Sequence, residues 1–286
     1  MRIGVKQFSN KLEFFIEDLI RLFEEKEFDY LELFVHPANM EYLDGWVKLK
    51  QTYNIPFSIH APHFSQGCNL ADKSFFDYNK MVYEQVNTYA KALDAEYTVV
   101  HGGMDGDVDE IIRQVSIIKP YKMRIENKPY VAPRNPDKML CRGAKPEEIK
   151  YIMENTGCGF NYDIGHSFCA AVSLKVDQYE MIKQFETLNP ESYHLSDGEF
   201  NNRIDIHYHL GDGDYDWAKI LPMIDHNKNW TLETLTKKDT KGLDLVKKDI
   251  DFIKKIKKKS AVLIFNQTRT FLYLINQVIN TNYKNQ

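Results

Sequence analysis

Short apolar runs alternate with longer amphipathic stretches along most of the chain. The short runs, such as RIGVKQF at residues 2–8, are rich in β-branched and aromatic residues, as buried strands are. The longer stretches, such as KLEFFIEDLIRLFEEKE at residues 11–27, carry apolar residues three and four positions apart, which indicates amphipathic helices. Eight strands are predicted in this way, at residues 2–8, 30–35, 57–62, 96–102, 123–127, 159–166, 192–197 and 230–234.

This alternation predicts one architecture. Strands separated by helices are parallel, because parallel neighbours need a long crossover connection. Eight such units within residues 1–259 fit a single closed (β/α)8 TIM barrel, an α/β fold. No GxGxxG motif follows the first strand, which disfavours an open dinucleotide-binding sheet. Residues 260–286 are predicted to form an extra C-terminal helix that packs on the barrel or on a second copy of the chain in a homodimer.

Composition narrows the class of protein. The 286 residues are 43% hydrophobic and 27% charged, as in an ordinary globular protein, and the net charge of −4 gives no overall case for binding nucleic acid or an anionic membrane. This net charge does not exclude a local basic groove. The four cysteines show no CxxC spacing, which argues against a zinc ribbon or a redox pair. With no signal peptide at residues 1–10 and no apolar run long enough to span a bilayer, the expectation is a cytoplasmic protein with no membrane partner.

Side chains that can bind metals gather at the predicted C-terminal ends of the strands, where TIM barrels build their active sites. These residues are His60, His101, Glu126, Asp163, His166, His194, Asp205, His207 and Glu233. Any one of them alone would more often be structural, but burying so many carboxylates together is costly without cations. Imidazole and carboxylate groups together suit zinc. The pattern therefore predicts a divalent metal site at the barrel mouth.

The remaining candidates are less specific. His63 and His209 neighbour the predicted ligands and are expected to face substrate, whereas His36 and His226 are expected to be surface or packing residues. The segment at residues 128–146 contains Pro, Gly and Arg and predicts a long loop after the fifth strand, and such loops are often functional.

At these motifs the chain resembles endonuclease IV and the xylose isomerase-like TIM barrels, over roughly residues 2–255. The EN motif contains Glu126, the D-x-x-H pair is Asp163 and His166, and the D-x-H pair before LGDG is Asp205 and His207. The strand-three and strand-four histidines, the His of HLSD and the Glu of LET fill the other four positions of the endonuclease IV ligand set. The resemblance implies two or three Zn2+ ions, with Glu126 bridging two of them, and an enzyme that hydrolyses phosphodiesters in abasic or damaged DNA or a related phosphoester.

The implied grouping is specific. His60, His101 and Glu126 would hold the first ion. The second would be held by Glu126, Asp163, His194 and Glu233, and the third by His166, Asp205 and His207. Glu126, Asp163 and Glu233 are the residues expected to take part most directly in catalysis.

The same superfamily contains sugar and sugar-phosphate isomerases and epimerases, which is the alternative function. The resemblance to those enzymes rests on a smaller set of ligands. In this chain the set is Glu126, Asp163, His194 and Glu233, which would hold one Mn2+, Mg2+ or Co2+ ion. Glu126 and Glu233 would then move protons at sugar carbons, and the partner would be a small sugar or sugar phosphate. A barrel that uses its site only for binding is a third class.

The loops that endonuclease IV inserts into DNA differ here. The loop after the second strand reads VHPANMEYL and has no Arg, and His63 and Phe64 stand where that family has a Tyr-Leu pair. If DNA is the substrate, Phe64 would be the apolar wedge, and Arg134 and Arg142 of the 128–146 loop would contact phosphate.

Overall fold

Eight parallel strands close into a barrel in the order β1 to β8, with β8 pairing back onto β1. The computed structural model describes residues 1–132, 137, 139–234 and 244–256. The predicted TIM barrel is thereby confirmed. The predicted helix at residues 260–286, and with it the homodimer contact, lies outside the described residues, as does Arg134.

The strands are short and nearly all their residues are buried. Their bounds are β1 Arg2–Phe8, β2 Tyr30–Phe34, β3 Phe57–His60, β4 Thr98–His101, β5 Met123–Glu126, β6 Gly159–Asp163, β7 Ser192–Leu195 and β8 Asn229–Leu232. The α-helices are α1 Leu12–Glu24, α2 Leu43–Tyr53, α3 Phe76–Ala92, α4 Val108–Ile118, α5 Pro146–Thr156, α6 Ile164–Leu174, α7 Gln178–Glu186, α8 Trp217–Ile220 and α9 at 244–256. Short 3-10 turns lie at Ser9–Lys11, Met40–Tyr42, Phe64–Gln66, Lys73–Phe75 and Leu221–Met223. No helix in the described ranges is long and apolar enough to cross a membrane.

Strand β6 ends earlier than its sequence pattern predicts. The expected strand runs through His166, but the structure ends it at Asp163 and begins helix α6 at Ile164. The cause is a cap: Oδ1 of Asp163 accepts a hydrogen bond from the backbone N–H of His166 at 2.7 Å. His166 therefore lies in the first turn of a helix rather than on a strand.

The register of the sheet brings strand ends level with one another. His101 pairs with Glu126, and Asp163 pairs with His194. Because side chains of neighbouring strands at the same level point in the same direction, these four residues reach the barrel mouth together.

The main apolar core lies between the strands and the helices, while the barrel interior is unusually polar. Buried residues with polar side chains inside the strands include Glu32, Ser58, Asn161, Ser192 and Thr231. Near the lower end of the barrel, Tyr30 of β2 lies over Gly4 of β1, where a Cβ atom would come within 2.3 Å of its ring. Gly4 is thus needed for the close approach of a large side chain.

Candidate metal centre

All nine predicted ligands lie together at the C-terminal mouth of the barrel, and we call them the metal ring. They form three groups, within each of which one ligand atom from every residue lies within 4.8 Å of the others. The groups are His60, His101 and Glu126; Glu126, Asp163, His194 and Glu233; and His166, Asp205 and His207. This is the same division that the resemblance implies.

Glu126 belongs to two groups and presents a different oxygen to each. Its Oε2 lies 3.4 Å from Nε2 of His60 and 3.1 Å from Nε2 of His101. Its Oε1 lies 3.6 Å from Nδ1 of His194 and 3.1 Å from Nδ1 of His166, a member of the third group. The side chain is fully buried at the end of β5. A carboxylate with its two oxygens in separate ligand sets has the arrangement of a bridge between two cations.

Three histidines of the ring are oriented by main-chain carbonyls. Nδ1 of His60 lies 2.8 Å from the carbonyl of Ala61, and Nδ1 of His166 lies 2.9 Å from that of Asn127. Nδ1 of His207 lies 2.7 Å from the carbonyl of Glu233. A carbonyl only accepts, so in each ring Nδ1 carries a hydrogen and Nε2 is the nitrogen that would bind a metal.

Several buried atoms of the ring have no hydrogen-bond partner among the described residues. They are Nε2 of His60, Nδ1 of His194, Oε1 of Glu126, Oδ2 of Asp163 and Oε2 of Glu233. Nδ1 of His194 and Oε2 of Glu233 are nevertheless only 2.6 Å apart. Buried polar atoms are normally satisfied, so nitrogen and oxygen atoms that converge in this way without well-formed hydrogen bonds fit the ligand shell of a cation. The donor set, imidazole with carboxylate, fits a divalent metal such as zinc.

The electrostatics of the ring agree with that fit. Burial alone raises the pKa of Glu126, but His101 and His194 overcome it and hold that pKa well below its usual value. Burial raises the pKa of Asp163 to about 6. Burial lowers the pKa of His166, but Asp163 and its neighbours raise it to about 10. Without a metal, protons on histidines thus balance the carboxylates, and a divalent cation would take over that role.

Asn127 links β5 to the end of β6. Its Oδ1 accepts from the backbone N–H of Asp163 at 2.7 Å, and its Nδ2 donates to the carbonyl of the same residue at 2.8 Å. Its own carbonyl orients His166. The Asn of the EN motif therefore fixes two ligands of the ring without being one.

A cavity of about 200 Å³ opens above the metal ring. His63, Phe64 and Lys128 line it together with His166, Asp205, His207 and Glu233. Nζ of Lys128 lies 3.4 Å from Nε2 of His166, and among the described residues Lys128 forms no ion pair with a carboxylate. His63 and Phe64 are therefore placed where a substrate would lie.

The other two residues predicted to bind substrate are engaged elsewhere. Nδ1 of His209 lies 2.7 Å from Oδ2 of Asp249 on α9. Arg142 donates from Nε to the carbonyl of Asp105 and from Nη2 to that of Gly106, both at 2.7 Å. Neither side chain is among those that line the cavity, and their roles in substrate binding stay predictions.

His36 and His226, expected to be surface or packing residues, lie outside the ring. The ring of His36 contacts the carbonyl of Pro37, and Nε2 of His226 lies 2.7 Å from the carbonyl of Leu221.

The structure adds three charged residues that the sequence analysis did not select. Glu32 on β2 contacts Nε2 of His194, and Lys6 on β1 lies 2.6 Å from Oε1 of Glu233. Lys128 reaches the cavity. A signal was present for the first two, because Glu32 is the one charge in YLELF and Lys6 is the one charge in the interior of RIGVKQF. In a barrel such a charge faces either the interior or the helices, and both are buried.

Comparison with known proteins identifies the class of barrel. The model of the family described as xylose isomerase-like TIM barrel matches residues 20–256. No curated protein matches the chain by sequence.

Solved structures of both enzyme classes share the fold. A D-tagatose 3-epimerase-like protein has a TM-score of 0.71 at 18% identity, covering 92% of this chain and 100% of its own. Endonuclease IV from Thermus thermophilus has a TM-score of 0.60 at 18% identity, covering 84% of this chain and 94% of its own. A third protein, from the same organism and soaked with ZnCl2, has a TM-score of 0.62 at 17% identity, covering 91% of this chain and 99% of its own. At such identities the likeness shows the fold alone.

Proposed function

The chain belongs to the xylose isomerase-like TIM barrel family, which includes endonuclease IV and sugar epimerases, and we propose that it is a metal-dependent hydrolase of phosphoesters. The observation that carries this proposal is the division of the two Glu126 oxygens between His60 and His101 on one side and His194 on the other. A bridge of this kind is useful only where two cations are held a short distance apart.

The metal ring would hold the ions in its three groups. Divalent ions there would supply Lewis acids and a nucleophile near neutral pH for in-line displacement at phosphorus. The side chain of Asp163 and the carbonyl of Asn127 fix the position of His166, and the carbonyl of Glu233 fixes the position of His207. These contacts come from the side-chain cap at the end of β6 and from main-chain carbonyls just after β5 and β8, so the candidate ligands are positioned before any ion arrives.

Lys128 suits a substrate with a negative charge. Its ammonium group lies at the cavity and is not neutralised by a carboxylate of the described residues. A phosphate oxygen would supply the missing charge-assisted hydrogen bond. His63 and Phe64, on the wall of the same cavity, would contact the organic part of the substrate. The cavity volume of about 200 Å³ is small beside the roughly 300–1,000 Å³ of pockets for drug-sized ligands, so one phosphoester group with one sugar is the unit it would enclose.

The state of Glu233 supports hydrolysis over isomerisation. Burial alone raises its pKa, but Lys6 and His194 together hold that pKa well below its usual value. A good acid or base near neutral pH has a pKa near the working pH. Lys6, at 2.6 Å from Oε1 of Glu233, lowers the basicity of that carboxylate and so disfavours the proton transfer that an isomerase requires.

A sugar isomerase or epimerase with one divalent ion is the second candidate. The group formed by Glu126, Asp163, His194 and Glu233 is complete by itself, and three of its four members are buried. The D-tagatose 3-epimerase-like protein shares the fold over 92% of this chain, so the barrel itself is compatible with this candidate. In this function the other five members of the ring would have no metal to bind.

One preparation tests both candidates. Protein purified without chelators is analysed for its metal content and then assayed with bis(p-nitrophenyl) phosphate, with a duplex that contains an abasic site, and with a set of ketoses. We expect two or three ions per chain, mainly zinc, and metal-dependent cleavage of a phosphoester. A single Mn2+ or Mg2+ ion per chain with sugar turnover and no cleavage would overturn the proposal in favour of the second candidate.

A further inference from the structure

His194 differs from the other oriented histidines of the metal ring in what holds it. His60, His166 and His207 are oriented by main-chain carbonyls. His194 instead contacts the side-chain carboxylate of Glu32, at 2.9 Å from Nε2 to Oε1 and 3.1 Å to Oε2. Glu32 is thus an anion placed directly behind a ligand of the ring.

Glu32 is built into the barrel interior. It is the middle residue of β2 and has 0% of its surface exposed. Its Oε2 accepts a hydrogen bond from Oγ1 of Thr231 at 3.2 Å, and Ser58 of β3 donates to the same oxygen at 3.5 Å. Burying a charged carboxylate is costly unless a partner compensates it, and the imidazole of His194 is the partner that compensates Glu32.

We infer that Glu32 is the positioning residue of His194, accepting its Nε2–H and turning the Nδ1 lone pair towards Glu126, Asp163 and Glu233. Nδ1 lies 2.6 Å from Glu233, 3.6 Å from Glu126 and 4.0 Å from Asp163. A carboxylate that accepts from the far nitrogen of a metal-bound imidazole fixes its tautomer and makes it a more basic ligand. The other three histidines are oriented by a neutral carbonyl, whereas His194 is oriented by a group that carries a negative charge.

A role for Glu32 as a ligand is the competing interpretation. Glu32, His60, His194 and Glu233 also offer atoms within 4.8 Å of one another. The two nitrogens of an imidazole point away from each other, however, so a metal on Nδ1 of His194 cannot also bind the carboxylate on its Nε2 side. Because Nδ1 is the nitrogen that faces the other three members of its group, we place Glu32 behind the ligand.

The inference rests on the proposed function only in that ions bind to the ring, and binding itself provides the readout. Metal-free wild-type protein, Glu32→Gln and Glu32→Ala are titrated with Zn2+ against a chromophoric chelator, and Co2+ spectra are recorded. We expect Glu32→Ala to weaken the affected ion about 10–100-fold, with the full number of ions still bound at saturation. Glu32→Gln keeps an acceptor without the charge and should fall between Glu32→Ala and the wild type.

Asp249→Asn is the matched control. Asp249 is a buried carboxylate that contacts Nδ1 of His209 at 2.7 Å, so it repeats the imidazole–carboxylate pair outside the metal ring. Its substitution should leave zinc affinity unchanged. Circular dichroism establishes that each variant is folded, and if Glu32→Ala does not fold, Glu32→Gln carries the test.

Each outcome decides the matter. Unchanged zinc affinity in a folded Glu32 variant would overturn the positioning role, and loss of one ion even at saturating zinc would make Glu32 a ligand instead. If wild-type protein binds zinc as expected but cleaves no phosphoester, the proposed function fails while the inference about Glu32 stands. If wild-type protein binds no ion, both are overturned.

Discussion

The side chain of His207 is fastened to the backbone of Glu233: its Nδ1 lies 2.7 Å from the main-chain carbonyl of that residue. His207 also adopts a left-handed backbone conformation, with φ of 59°. Non-glycine residues incur a steric cost in this region, and such strain concentrates at functional sites. The loop after β7 is therefore tied to the end of β8, and two groups of the metal ring are fixed relative to one another.

His207→Gly tests this connection. Glycine accepts the left-handed conformation without strain, so the substitution removes the candidate ligand and its contact with Glu233 without adding backbone strain at this position. We expect the variant to lose one ion per chain, that of the His166, Asp205 and His207 group, and to keep the others. Elemental analysis measures the loss, and His226→Ala, which removes a histidine outside the ring, should bind as the wild type does.

Glu126→Gln should remove more metal than His207→Gly does. The amide carries no charge and cannot serve two cations, so metal in both groups that share Glu126 should be lost together with activity. The barrel should stay folded by circular dichroism. Glu110→Gln, at a carboxylate paired with Arg113 on α4, is the control and should change neither property. Full metal retention with a small loss of activity would mean that Glu126 is not a bridge.

Lys128→Ala should weaken substrate binding. Removing the unneutralised ammonium group at the cavity should raise KM for a phosphodiester by roughly 10-fold or more, because a hydrogen bond to a charged group contributes about 1.5–3 kcal/mol and about 1.4 kcal/mol corresponds to a factor of ten. Lys150→Ala, which removes an exposed lysine paired with Glu154, is the matched control. A KM that is the same in both variants would exclude Lys128 from substrate binding.

Metal loading should release protons. The pKa of His166 is raised to about 10 and that of His207 to about 9, with Asp163 and Asp205 as the main causes that raise them against burial. Both groups are thus protonated at pH 7 in the metal-free protein and must lose Nε2–H to bind an ion. We expect release of about two protons from this group at pH 7 and an affinity that rises with pH up to about 9–10. Calorimetry in buffers of different ionisation enthalpy measures the release, and an affinity independent of pH between 6 and 9 would contradict it.

Substitutions in the loops around the cavity test whether DNA is the substrate. If abasic-site DNA is cleaved, Phe64→Ala should reduce incision, because Phe64 lies at the cavity as an apolar wedge would. Arg142→Ala should also reduce incision. Its effect would come from a change in loop conformation, because the guanidinium group holds the carbonyls of Asp105 and Gly106. Binding should fall steeply with salt. Equal incision by the wild type and Phe64→Ala would remove the wedge role.

The barrel and the gathering of the nine residues at its mouth could be predicted because both follow from local patterns, and the metal-binding role of the nine stays a prediction. A strand that ends in a ligand-type residue can be recognised without knowing its neighbours, and the closed parallel barrel places all such ends at one mouth. The ends of the elements were less predictable. Asp163 can continue a strand or cap a helix, and only the hydrogen bond to the N–H of His166 decides between the two.

Partners across the fold could not be predicted. His209 follows His207 by two residues, and sequence proximity suggested a common role, but its ring contacts Asp249, which is 40 residues away. Glu32 and His194 are 162 residues apart and meet only because the barrel closes through β8 and β1, which brings the inward side chains of β7 and β2 within reach of each other. Contacts of this range depend on the register of the closed sheet, which no single segment encodes.

The polar interior of the barrel has a consequence for anyone who redesigns this protein. Tyr30 contacts Thr231 at 2.8 Å, Thr231 donates to Glu32, and Glu32 holds His194, so a continuous chain of contacts runs from the closed end of the barrel to its mouth. Gly4 gives Tyr30 the room to begin that chain. A stabilised version made by filling the interior with aliphatic residues, as other TIM barrels allow, would cut this connection. The inside of this barrel should be kept as part of the active site and not exchanged as inert core.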